Sequence, residues 1–445
     1  MRIVIAGAGE VGSHLAKLLS FEEQDIIVIA EEADKLAALD SAYNLMTVNG
    51  SPISFDALKD ANAGKADLFV AVTPFEATNL VACSIAKSLG AHITVARVEH
   101  YGFMDPKNRQ SMAHMGVDRV IYPEYLAASE IISALEHSWV RNWFELHEGQ
   151  IILVGVRIRD NAPIAGMQLK EFSISNHGHF HVSAIHRNHE TIIPRGDDRV
   201  EVNDILYITT TREHVGELVE ICGKVERKIK NVMIMGGSKI AMRLCDMTRD
   251  RFDITIIDNN REVCNALPEK CPEADIIHGD ARDPEMLADA GIEDCDAFIA
   301  LSPSSESNIL TTLAAKEFGV DKTIAEVEDI QFIPQAETLS IGTIINKKLL
   351  ASSAIFQLLL DSDSSTSKCL ALTDAEVAEM EVKPGAKITR KPVKDMKLDR
   401  SMTLAALIRD KKGFLVTGNT QFEAGDKVMV FCLAGSLHKV EKLFN

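Results

Sequence analysis

Residues 1–19, MRIVIAGAGEVGSHLAKLL, run from an apolar strand through a glycine-rich turn into the start of a helix. Residues 231–248, NVMIMGGSKIAMRLCDMT, repeat this order. Three pairs of residues keep a constant separation of 229 positions: Gly7 and Gly236, Gly50 and Gly279, and Asn79 and Asn308. Two copies of a strand, a glycine turn and a helix at a fixed separation indicate a duplicated βαβ unit of the dinucleotide-binding kind.

The composition indicates a globular chain of several α/β units. Of its 445 residues, 46% are apolar and only 5% are aromatic, so small aliphatic side chains are expected to fill the cores. At roughly 100 to 200 residues per domain, this length predicts three to four compact units. A formal charge of −18 repels phosphate backbones and anionic lipids, so we expect no nucleic-acid partner and no direct bilayer binding.

The sequence predicts a cytoplasmic protein without membrane spans or a secretion signal. A strand begins at Met1, with no charged and apolar leader ahead of it. The most apolar long stretch, 341–360, carries Lys347 and Lys348 near its centre, where each charge costs about 2.5–3.5 kcal/mol in a bilayer. The eight cysteines form no C-x-x-C pair and are expected to be free thiols in a reducing compartment.

Short apolar runs alternate with helical patterns in both copies. We predict six parallel strands in the first copy and five in the second, with helices covering both faces of each sheet. The predicted strands are 1–6, 26–29, 46–48, 68–72, 93–98 and 119–121, followed by 232–235, 254–257, 276–277, 297–301 and 323–327. Predicted helices at 124–140 and 341–360 act as connectors after the two sheets.

A smaller, strand-rich lobe follows each sheet. The segment IIPRGDDRVEVND at 192–204 parallels FLVTGNTQFEAGD at 414–426, and the polar segment 361–368 predicts a flexible hinge. The predicted fold class is α/β, with tandem Rossmann-like, doubly wound parallel sheets (N-lobes), each followed by a small α+β C-lobe. The predicted boundaries are 1–140 and 141–228 for the first N-lobe with its connector and its C-lobe, and 229–362 and 363–445 for the second pair.

The first glycine turn completes the G-x-G-x-x-G pattern between a strand and a helix. Its residues are Gly7, Ala8, Gly9, Glu10, Val11 and Gly12. Gly7 permits the tight turn, Gly9 lets the backbone approach a pyrophosphate, and Gly12 lets the helix pack closely while its first amides face the anion. We predict nucleotide binding at this turn, and the alternative is a plain tight turn.

The second glycine turn is degraded. It reads Gly236, Gly237, Ser238, Lys239, Ile240 and Ala241, with serine and alanine in place of the second and third glycines. Ser238 adds a Cβ where backbone approaches phosphate, although its hydroxyl can donate to an oxygen. Two interpretations stay open here, a second nucleotide site and a structural pseudo-site.

The carboxylate expected to bind an adenosine ribose shows the opposite asymmetry. Asp258 occupies that position in the second copy, whereas the first has Ala30 followed by Glu31 and Glu32. Glu31 then either binds the ribose hydroxyls or lies at a solvated helix start. This weakens an NAD assignment in the first copy and leaves room for ATP or ADP.

Further candidates lie where the remaining strands end, at the edge where such sheets bind cofactors. They are Asn49, Gly50, Thr73, Pro74 and Asn79 in the first copy, and Gly279, Asp280, Ser302 and Asn308 in the second. We expect the hydroxyls and both asparagines to face this crevice. Arg97 can neutralise phosphate, whereas the second copy has Glu326 there, so the first copy is expected to hold an anionic tail better.

Five histidines crowd into one short segment, namely His177, His179, His181, His186 and His189. Three at alternate positions share a face if the segment is extended. Asn176 and Gly178 predict a turn instead, and no carboxylate or cysteine completes a coordination set with readable spacing. We therefore expect exposed loop histidines and no metal site.

With its glycine turns, its Val-Thr-Pro and Leu-Ser-Pro elements, its helix-starting asparagines and its two small lobes, the chain resembles the TrkA family. These proteins are the peripheral NAD-binding subunits of Trk potassium-uptake systems, and the likeness spans the whole chain. The resemblance implies binding of NAD(H) and adenine nucleotides, a homo-oligomeric ring, which we expect to be tetrameric, and docking on a TrkH-like integral-membrane potassium channel subunit.

The resemblance also places nucleotide contacts on this chain. They are Gly7 to Val11, Ala30, Glu31, Thr73, Pro74 and Arg97 in the first half, and Gly236 to Ile240, Asp258 and Ser302 in the second. We expect a non-enzymatic regulatory subunit at the inner face of the membrane, gating potassium transport by nucleotide-dependent lobe movement. The alternatives are an NAD-dependent dehydrogenase, which needs an acid–base group that neither small lobe obviously offers, and a nucleotide- or redox-sensing adaptor without a transporter.

Overall fold

The first N-lobe is a parallel sheet with helices on both faces. The computed structural model describes residues 1–20, 24–147, 149–188, 190–361, 367–369, 375–433 and 436–444. The strands are β1 (Arg2–Ala6), β2 (Asp25–Ala30), β3 (Met46–Asn49), β4 (Leu68–Ala71), β5 (Ile93–Arg97) and β6 (Arg119–Ile121). The helices are α1 (Glu10–Ser20), α2 (Ala33–Ala42), α3 (Phe55–Asp60), α4 (Glu76–Leu89), α5 (Arg109–His114) and α6 (Pro123–Glu136). The strand order β3-β2-β1-β4-β5-β6 confirms the predicted doubly wound arrangement.

The first C-lobe is an antiparallel sheet in the order β10-β9-β11-β8-β7. These strands are β7 (Asn142–Leu146), β8 (Ile151–Arg157), β9 (Phe180–Arg187), β10 (Glu190–Ile192) and β11 (Ile205–Thr211), with helices α7 (Leu169–Ser175) and α8 (Val215–Ile221). Val154 of β8 and Ile208 of β11 share a buried core with Phe172 of α7 and Leu218 of α8.

The second half repeats this plan. Its N-lobe strands are β12 (Asn231–Met235), β13 (Asp253–Asp258), β14 (Asp275–His278), β15 (Ala297–Ala300), β16 (Lys322–Glu326) and β17 (Thr343–Ile345), in the order β14-β13-β12-β15-β16-β17. Its N-lobe helices are α9 (Lys239–Met247), α10 (Arg261–Lys270), α11 (Pro284–Asp289), α12 (Ser305–Glu317), α13 (Ile333–Thr338) and α14 (Lys347–Asp361). The second C-lobe contains β18 (Ser367–Cys369), β19 (Ala375–Glu381), β20 (Met402–Arg409), β21 (Lys412–Leu415), β22 (Lys427–Leu433) and α15 (Leu437–Phe444).

The predicted connector helix at 341–360 is wrong at its start. Residues Thr343–Ile345 form β17, a sixth parallel strand that pairs with β16. The Asn346 side chain then accepts hydrogen bonds from the amides of Lys348 and Leu349, at 3.0 and 2.9 Å, and so caps α14. The β-branched residues of β17 and the Asn346 cap set the boundary between this strand and α14. Apolar content alone did not show that boundary. The predicted hinge at 361–368 lies mostly outside the described residues.

The two connector helices pack against the opposite N-lobe. Ile131 and Leu135 of α6 belong to the same apolar core as Leu244 of α9. Ile355 of α14 packs into the core that contains Leu15 of α1. Each N-lobe core therefore includes a helix supplied by the other half of the chain.

The C-lobes also face one another. Leu153 and Tyr207 of the first C-lobe share a buried cluster with Val377 and Phe431 of the second. No described helix is long and apolar enough to cross a membrane. The seven cysteines whose side chains are described are free thiols.

Candidate nucleotide-binding clefts

A cleft of about 530 Å³ opens at the carboxyl edge of the second parallel sheet, a size suited to a nucleotide. Of the residues predicted from the sequence, it gathers Gly236, Gly237, Ser238, Asp258, Gly279, Asp280 and Ser302. Asn259, Asn260, Val263, Arg282, Ser304 and Ser307 also line it, and the sequence analysis did not single them out. The strand ends β12, β13, β14 and β15 meet here, as expected at the switch point of a doubly wound sheet.

The second glycine turn leaves no room for larger residues at its first two positions. Gly236 has φ +100°, and a Cβ on it would lie 2.9 Å from the carbonyl oxygen of Leu301. A Cβ on Gly237 would lie 2.6 Å from Val263 Cγ1. Ser238, in contrast, has extended backbone, and its hydroxyl accepts the Ala241 amide at 3.3 Å, which caps α9. The serine therefore replaces the glycine with a helix cap, and its own O–H remains a donor.

Asp258 holds the glycine turn in place. Its Oδ2 accepts a hydrogen bond from the Gly237 amide, and its Oδ1 accepts one from the Asn260 amide, each with a nitrogen–oxygen distance of 2.7 Å. A carboxylate oxygen has lone pairs for more than one donor, so both oxygens can still accept ribose hydroxyls. The arrangement fits the ribose-binding carboxylate that the sequence predicts.

Arg282 places a cation in the second cleft. It lines the cleft beside Asp280, and its Nη2 lies 2.6 Å from Asp280 Oδ2. Hydrogen bonding to Arg282 lowers the pKa of the Asp280 carboxyl, so the pair stays ionised. In the sequence, the one sign that Arg282 belongs to the cleft is its position two residues after Asp280, in the loop that follows the third strand.

The first glycine turn has the same backbone but more open space. Gly7 has φ +119°, and a Cβ on Gly12 would overlap the carbonyl oxygen of Gly7, so this helix position tolerates no side chain. A Cβ on Gly9 would meet nothing within 4 Å. Ala8 and Val11 are buried in the core beneath the turn. The backbone at Gly9 is therefore accessible, as the approach of a pyrophosphate requires.

In the first copy, the position equivalent to Asp258 is occupied by Ala30 and carries no carboxylate. Ala30 is buried, and the Asn49 side chain donates to the carbonyl oxygens of Ala30 and Glu31, at 3.2 and 3.0 Å. The Gly50 amide donates to the carbonyl oxygen of Ala30 at 2.9 Å. Glu32 pairs with Lys35 on α2, whereas the Glu31 side chain is exposed. Asn49 and Gly50 thus shape the strand end, and Glu31 is an exposed acidic residue directly after it.

The two asparagines do not face the crevice, contrary to the sequence expectation. Asn79 accepts the amide and hydroxyl of Thr73, at 2.8 and 2.7 Å, and donates to the carbonyl oxygens of Thr73 and Arg97, at 3.0 Å each. Asn308 makes the same four bonds to Ser302 and Glu326. Each asparagine is 1% exposed. Their amides position the loops that carry Thr73 and Ser302 instead of contacting a ligand.

The loop hydroxyls are partly committed as well. The Thr73 hydroxyl donates to Asn79, and the Ser302 hydroxyl donates to Asn308 at 2.6 Å. Ser302 still lines the second cleft, while Thr73 is 8% exposed and the adjoining Pro74 is exposed. These groups can accept from a ligand, but they have no proton left to give it.

Arg97 and Glu326 occupy equivalent strand ends and differ in charge. Arg97 Nη2 lies 3.6 Å from Glu99, and its buried Nε has no hydrogen-bond partner. An unpartnered guanidinium N–H suits a phosphate oxygen. Glu326 is buried beside Lys347 at 3.3 Å, and burial raises its pKa. The two copies therefore place side chains of opposite charge at this strand end, each beside an oppositely charged neighbour.

The start of each glycine-turn helix is tied to the other half of the chain. Lys239, the first residue of α9, lies 2.7 Å from Glu99 of the first N-lobe. Glu10, the first residue of α1, pairs with Lys348 of α14. The Ser352 hydroxyl of α14 also donates to the carbonyl oxygen of Val11, at 3.3 Å. The side chains of Lys239 and Glu10, which the sequence analysis assigned to the nucleotide, therefore lie in the interface between the N-lobes.

The charged side chains that line the second cleft are those of Asp258, Asp280 and Arg282. Histidine, lysine, cysteine and tyrosine are all absent from its lining, which lies within the described part of the chain. The segment with the clustered histidines lies in the first C-lobe, where His181 contacts Thr403 at 3.2 Å and His186 contacts Glu337 at 3.5 Å. His189 is outside the described residues. The described histidines of this segment are therefore not among the residues that line the second cleft.

Sequence families match the two kinds of lobe. Residues 3–123 and 232–347 match the TrkA-N domain, and residues 153–223 and 377–445 match the TrkA-C domain. The chain belongs to the TrkA family. The TrkA-N matches contain both glycine turns, so this TrkA-family chain carries its candidate sites in the N-lobes.

Curated relatives align along their whole length. The Trk system potassium uptake protein TrkA of Halomonas elongata is 28% identical, covering 100% of this chain and 98% of that protein. The protein named Trk system potassium uptake protein TrkA homolog 2, from Methanosarcina mazei, is 28% identical, with 100% of both chains covered. The homolog of Archaeoglobus fulgidus is 27% identical over the same full coverage.

Solved structures share the fold at low identity. The GsuK RCK domain has a TM-score of 0.60 at 16% identity, covering 100% of this chain and 94% of that one. The GsuK channel bound to NAD has a TM-score of 0.60 at 15% identity, covering 100% of this chain and 78% of that one. The tandem fold of this TrkA-family chain is therefore that of RCK domains.

Proposed function

We propose that this chain is the nucleotide-sensing regulatory subunit of a Trk-type potassium uptake system. The relatives that align over its full length are named Trk system potassium uptake proteins. The observation that carries the proposal is the pair of inter-lobe contacts at the glycine-turn helices, Lys239 with Glu99 and Glu10 with Lys348. A ligand at either turn contacts a helix whose first residue is held by the other half.

The proposed mechanism is a shift between two lobe arrangements. A ligand shifts such an equilibrium only if it binds the two arrangements with different affinity. Phosphate binds the amides at the start of α1 or α9, and these helix starts also carry the inter-lobe ion pairs. Binding therefore changes the position of one N-lobe against the other, and the C-lobes follow through the exchanged connector helices.

The two sites are proposed to prefer different nucleotides. Asp258 in the second cleft suits the ribose of NAD(H), with Arg282 near the adenosine end. In the first copy, Arg97 with its unpartnered Nε suits the phosphate tail of ATP or ADP, and Glu31 is left for the ribose. Among solved RCK relatives, GsuK has been determined with NAD and with ADP.

The partner is proposed to be a TrkH-like integral-membrane subunit at the inner face of the membrane. The chain has no helix of its own, within its described residues, that could reach across a bilayer. Four tandem chains are proposed to assemble as a ring that converts the lobe movement into a pull on the channel.

The test compares two glycine-to-valine variants. Gly9→Val adds a side chain into open space at the first turn, so the fold is retained and the ligand is blocked. Gly216→Val, on α8 of the first C-lobe, also enters open space and is the matched control. Binding of NAD⁺, NADH, ATP and ADP is measured by calorimetry, and potassium uptake is measured in cells that carry the membrane partner.

We expect Gly9→Val to lose nucleotide binding at the first site and nucleotide-dependent uptake together, with Gly216→Val unchanged. Uptake that keeps its nucleotide dependence in Gly9→Val contradicts the proposal. Oxidation of NADH during the binding assay would favour a dehydrogenase. Binding with no effect on uptake would favour an adaptor that acts elsewhere.

A further inference from the structure

Three metal-ligating side chains converge on the surface of the first C-lobe. His179 immediately precedes β9, while His214 and Glu217 lie one turn apart at the start of α8. His214 Nδ1 is 3.1 Å from Glu217 Oε1, and His179 Nδ1 is 3.5 Å from Glu217 Oε2. One ligand atom from each of the three lies within 4.8 Å of the others. Both imidazoles therefore present the same nitrogen to one carboxylate.

The scaffold under this cluster is rigid. The Thr210 hydroxyl donates to the carbonyl oxygen of His179 at 3.0 Å, which fixes the entry into β9. The buried Phe180 ring contacts both imidazoles edge-on, with centroids 6.3 and 6.4 Å away. Leu218, fully buried, anchors α8 next to Glu217. The side chains of His179, His214 and Glu217 are 35%, 23% and 55% exposed, respectively. Ions in the solvent can therefore reach them.

We propose that His179, His214 and Glu217 bind a divalent transition metal ion of the zinc type, with solvent as the fourth ligand. Two imidazoles and one carboxylate form an established zinc ligand set that leaves one position open. Imidazole nitrogen disfavours Mg²⁺ and Ca²⁺, which prefer oxygen ligands, so the site selects against those ions. The proposal does not depend on the proposed nucleotide function.

The local charges suit a cation at this point. The imidazole rings of His179 and His214 stack with centroids 3.7 Å apart and an interplanar angle of 14°. Two cationic rings at that distance repel, so a single metal ion is a better positive partner for Glu217 than two imidazolium groups.

The sequence predicted no metal site because Asn176 and Gly178 indicate a turn, and because no carboxylate or cysteine completes a coordination set with readable spacing. The fold supplies Glu217 and His214 from the other end of the C-lobe, through β11 and α8. The second C-lobe lacks this set. Its matching positions, found from the equivalent bridges Arg187–Asp204 and Arg409–Asp426, hold Ser401, Ser436 and Lys439. The proposed stoichiometry is therefore one metal ion per chain.

The site lies close to the junction of the two C-lobes. A Cβ on Gly178, beside His179, would lie 3.5 Å from Thr417 of the second C-lobe. A bound metal joins the start of β9 to the start of α8 and so stiffens the part of the first C-lobe that meets the second. The metal is thereby expected to raise the thermal stability of the whole chain.

The test is a calorimetric titration of the full-length chain with ZnCl₂ in a non-thiol reductant. We expect one zinc ion per chain, a rise in melting temperature, and no response to MgCl₂ or CaCl₂. Loss of an outer-shell partner alone costs about 10–100-fold in metal affinity, so His179→Ala, His214→Ala and Glu217→Gln should each cost at least that. Two substitutions of exposed residues outside the cluster, His114→Ala and Glu220→Gln, serve as controls and should bind zinc like the parent.

Cobalt(II) gives a second measurement that does not depend on heat effects. A tetrahedral site with two imidazoles produces visible absorption on cobalt binding, and this absorption should disappear in Glu217→Gln, an isosteric change at an exposed position that leaves the fold intact. The proposal is overturned if zinc does not bind, or if binding is equal in the parent and in the three ligand variants. Binding that only His114→Ala or Glu220→Gln removes would also overturn it, since the ion would then lie elsewhere.

Discussion

The Lys239 ammonium lies 2.7 Å from the Glu99 carboxylate and ties the glycine turn of the second N-lobe to the first N-lobe. Hydrogen bonding to Glu99, with further attraction from Glu124, raises the pKa of Lys239, so the lysine stays charged. Glu10 and Lys348 make the reciprocal tie from the first glycine turn. Each helix start therefore adjoins a glycine turn and is held by an ion pair to the opposite half of the chain.

Reversing the charge of Lys239 should uncouple nucleotide binding from transport. The Lys239 and Glu99 side chains are 55% and 27% exposed, and such pairs contribute about 0.2–1 kcal/mol. Lys239→Glu should leave the fold intact and reduce nucleotide-dependent potassium uptake, and adding Glu99→Lys should restore it. Lys35→Glu, in a local pair with Glu32 at the start of α2, is the control. A double variant that stays as defective as Lys239→Glu would show that the contact is not what transmits the signal.

Gly12→Val should fail to fold, unlike Gly9→Val. A Cβ at Gly12 overlaps the backbone of Gly7, whereas a Cβ at Gly9 meets open space. Circular dichroism and thermal melting distinguish the two outcomes before any binding assay is made. A well-folded Gly12→Val chain with an unchanged melting temperature would contradict the close packing of α1 on β1.

Asn79→Ala should destabilise the first N-lobe by about 2–4 kcal/mol, because it leaves buried partners of four hydrogen bonds unsatisfied. Asn308→Ala should do the same in the second N-lobe, since its bonds are equivalent. Asn108→Ala, which removes one exposed bond to Gly102, is the control and should cost less than about 1 kcal/mol. Equal melting temperatures for Asn79→Ala and Asn108→Ala would contradict a positioning role for Asn79.

Lys322 should make the chain more stable as the pH rises above neutrality. Burial lowers the pKa of Lys322 from 10.5 to about 7, with Arg141 adding to the effect, and its ammonium donates to the Val140 carbonyl oxygen at 2.9 Å. Between those pH values the unfolded chain binds a proton that the folded chain lacks. Stability contributed by this site is therefore lowest below about pH 7 and increases towards pH 10.5.

Lys322→Met removes this penalty. The variant should melt at a higher temperature than the parent at pH 7 or below, and the difference should shrink as the pH approaches 10.5. Lys228→Met, at an exposed position, should leave the melting temperature unchanged at every pH. A difference between Lys322→Met and the parent that grows with pH would show the opposite linkage and contradict the buried, weakly basic lysine.

Much of the fold was predictable because strands in such sheets are short apolar runs that alternate with helices. The strand Thr343–Ile345 was missed because it merges with the apolar helix that follows, and only the Asn346 cap separates them. The exchange of α6 and α14 between the N-lobes was not predictable from periodicity. A pattern of apolar residues shows that a helix has a buried face, but not which sheet that face covers.

The candidate sites were predictable where backbone decides them. Gly7 and Gly236 carry positive φ values, and such positions are visible in a sequence as glycines. Asn79 was misplaced because a polar residue at a strand end can either face a ligand or hold its own loop. Arg282 and Glu217 were missed because each becomes a candidate site residue only through neighbours that are distant in sequence and that the fold brings close.

The charges in the N-lobe interface are inverted between the two halves. Glu10 and Lys239 begin the equivalent helices α1 and α9, and Glu124 and Lys348 are the second residues of α6 and α14. Two first halves docked in this way would bring Glu10 towards Glu124, and two second halves would bring Lys239 towards Lys348. Like charges that face each other disfavour docking of two first halves or of two second halves. The interface therefore favours docking of a first half on a second half. The two halves are therefore complementary in charge at this interface and are not equivalent copies of one docking surface.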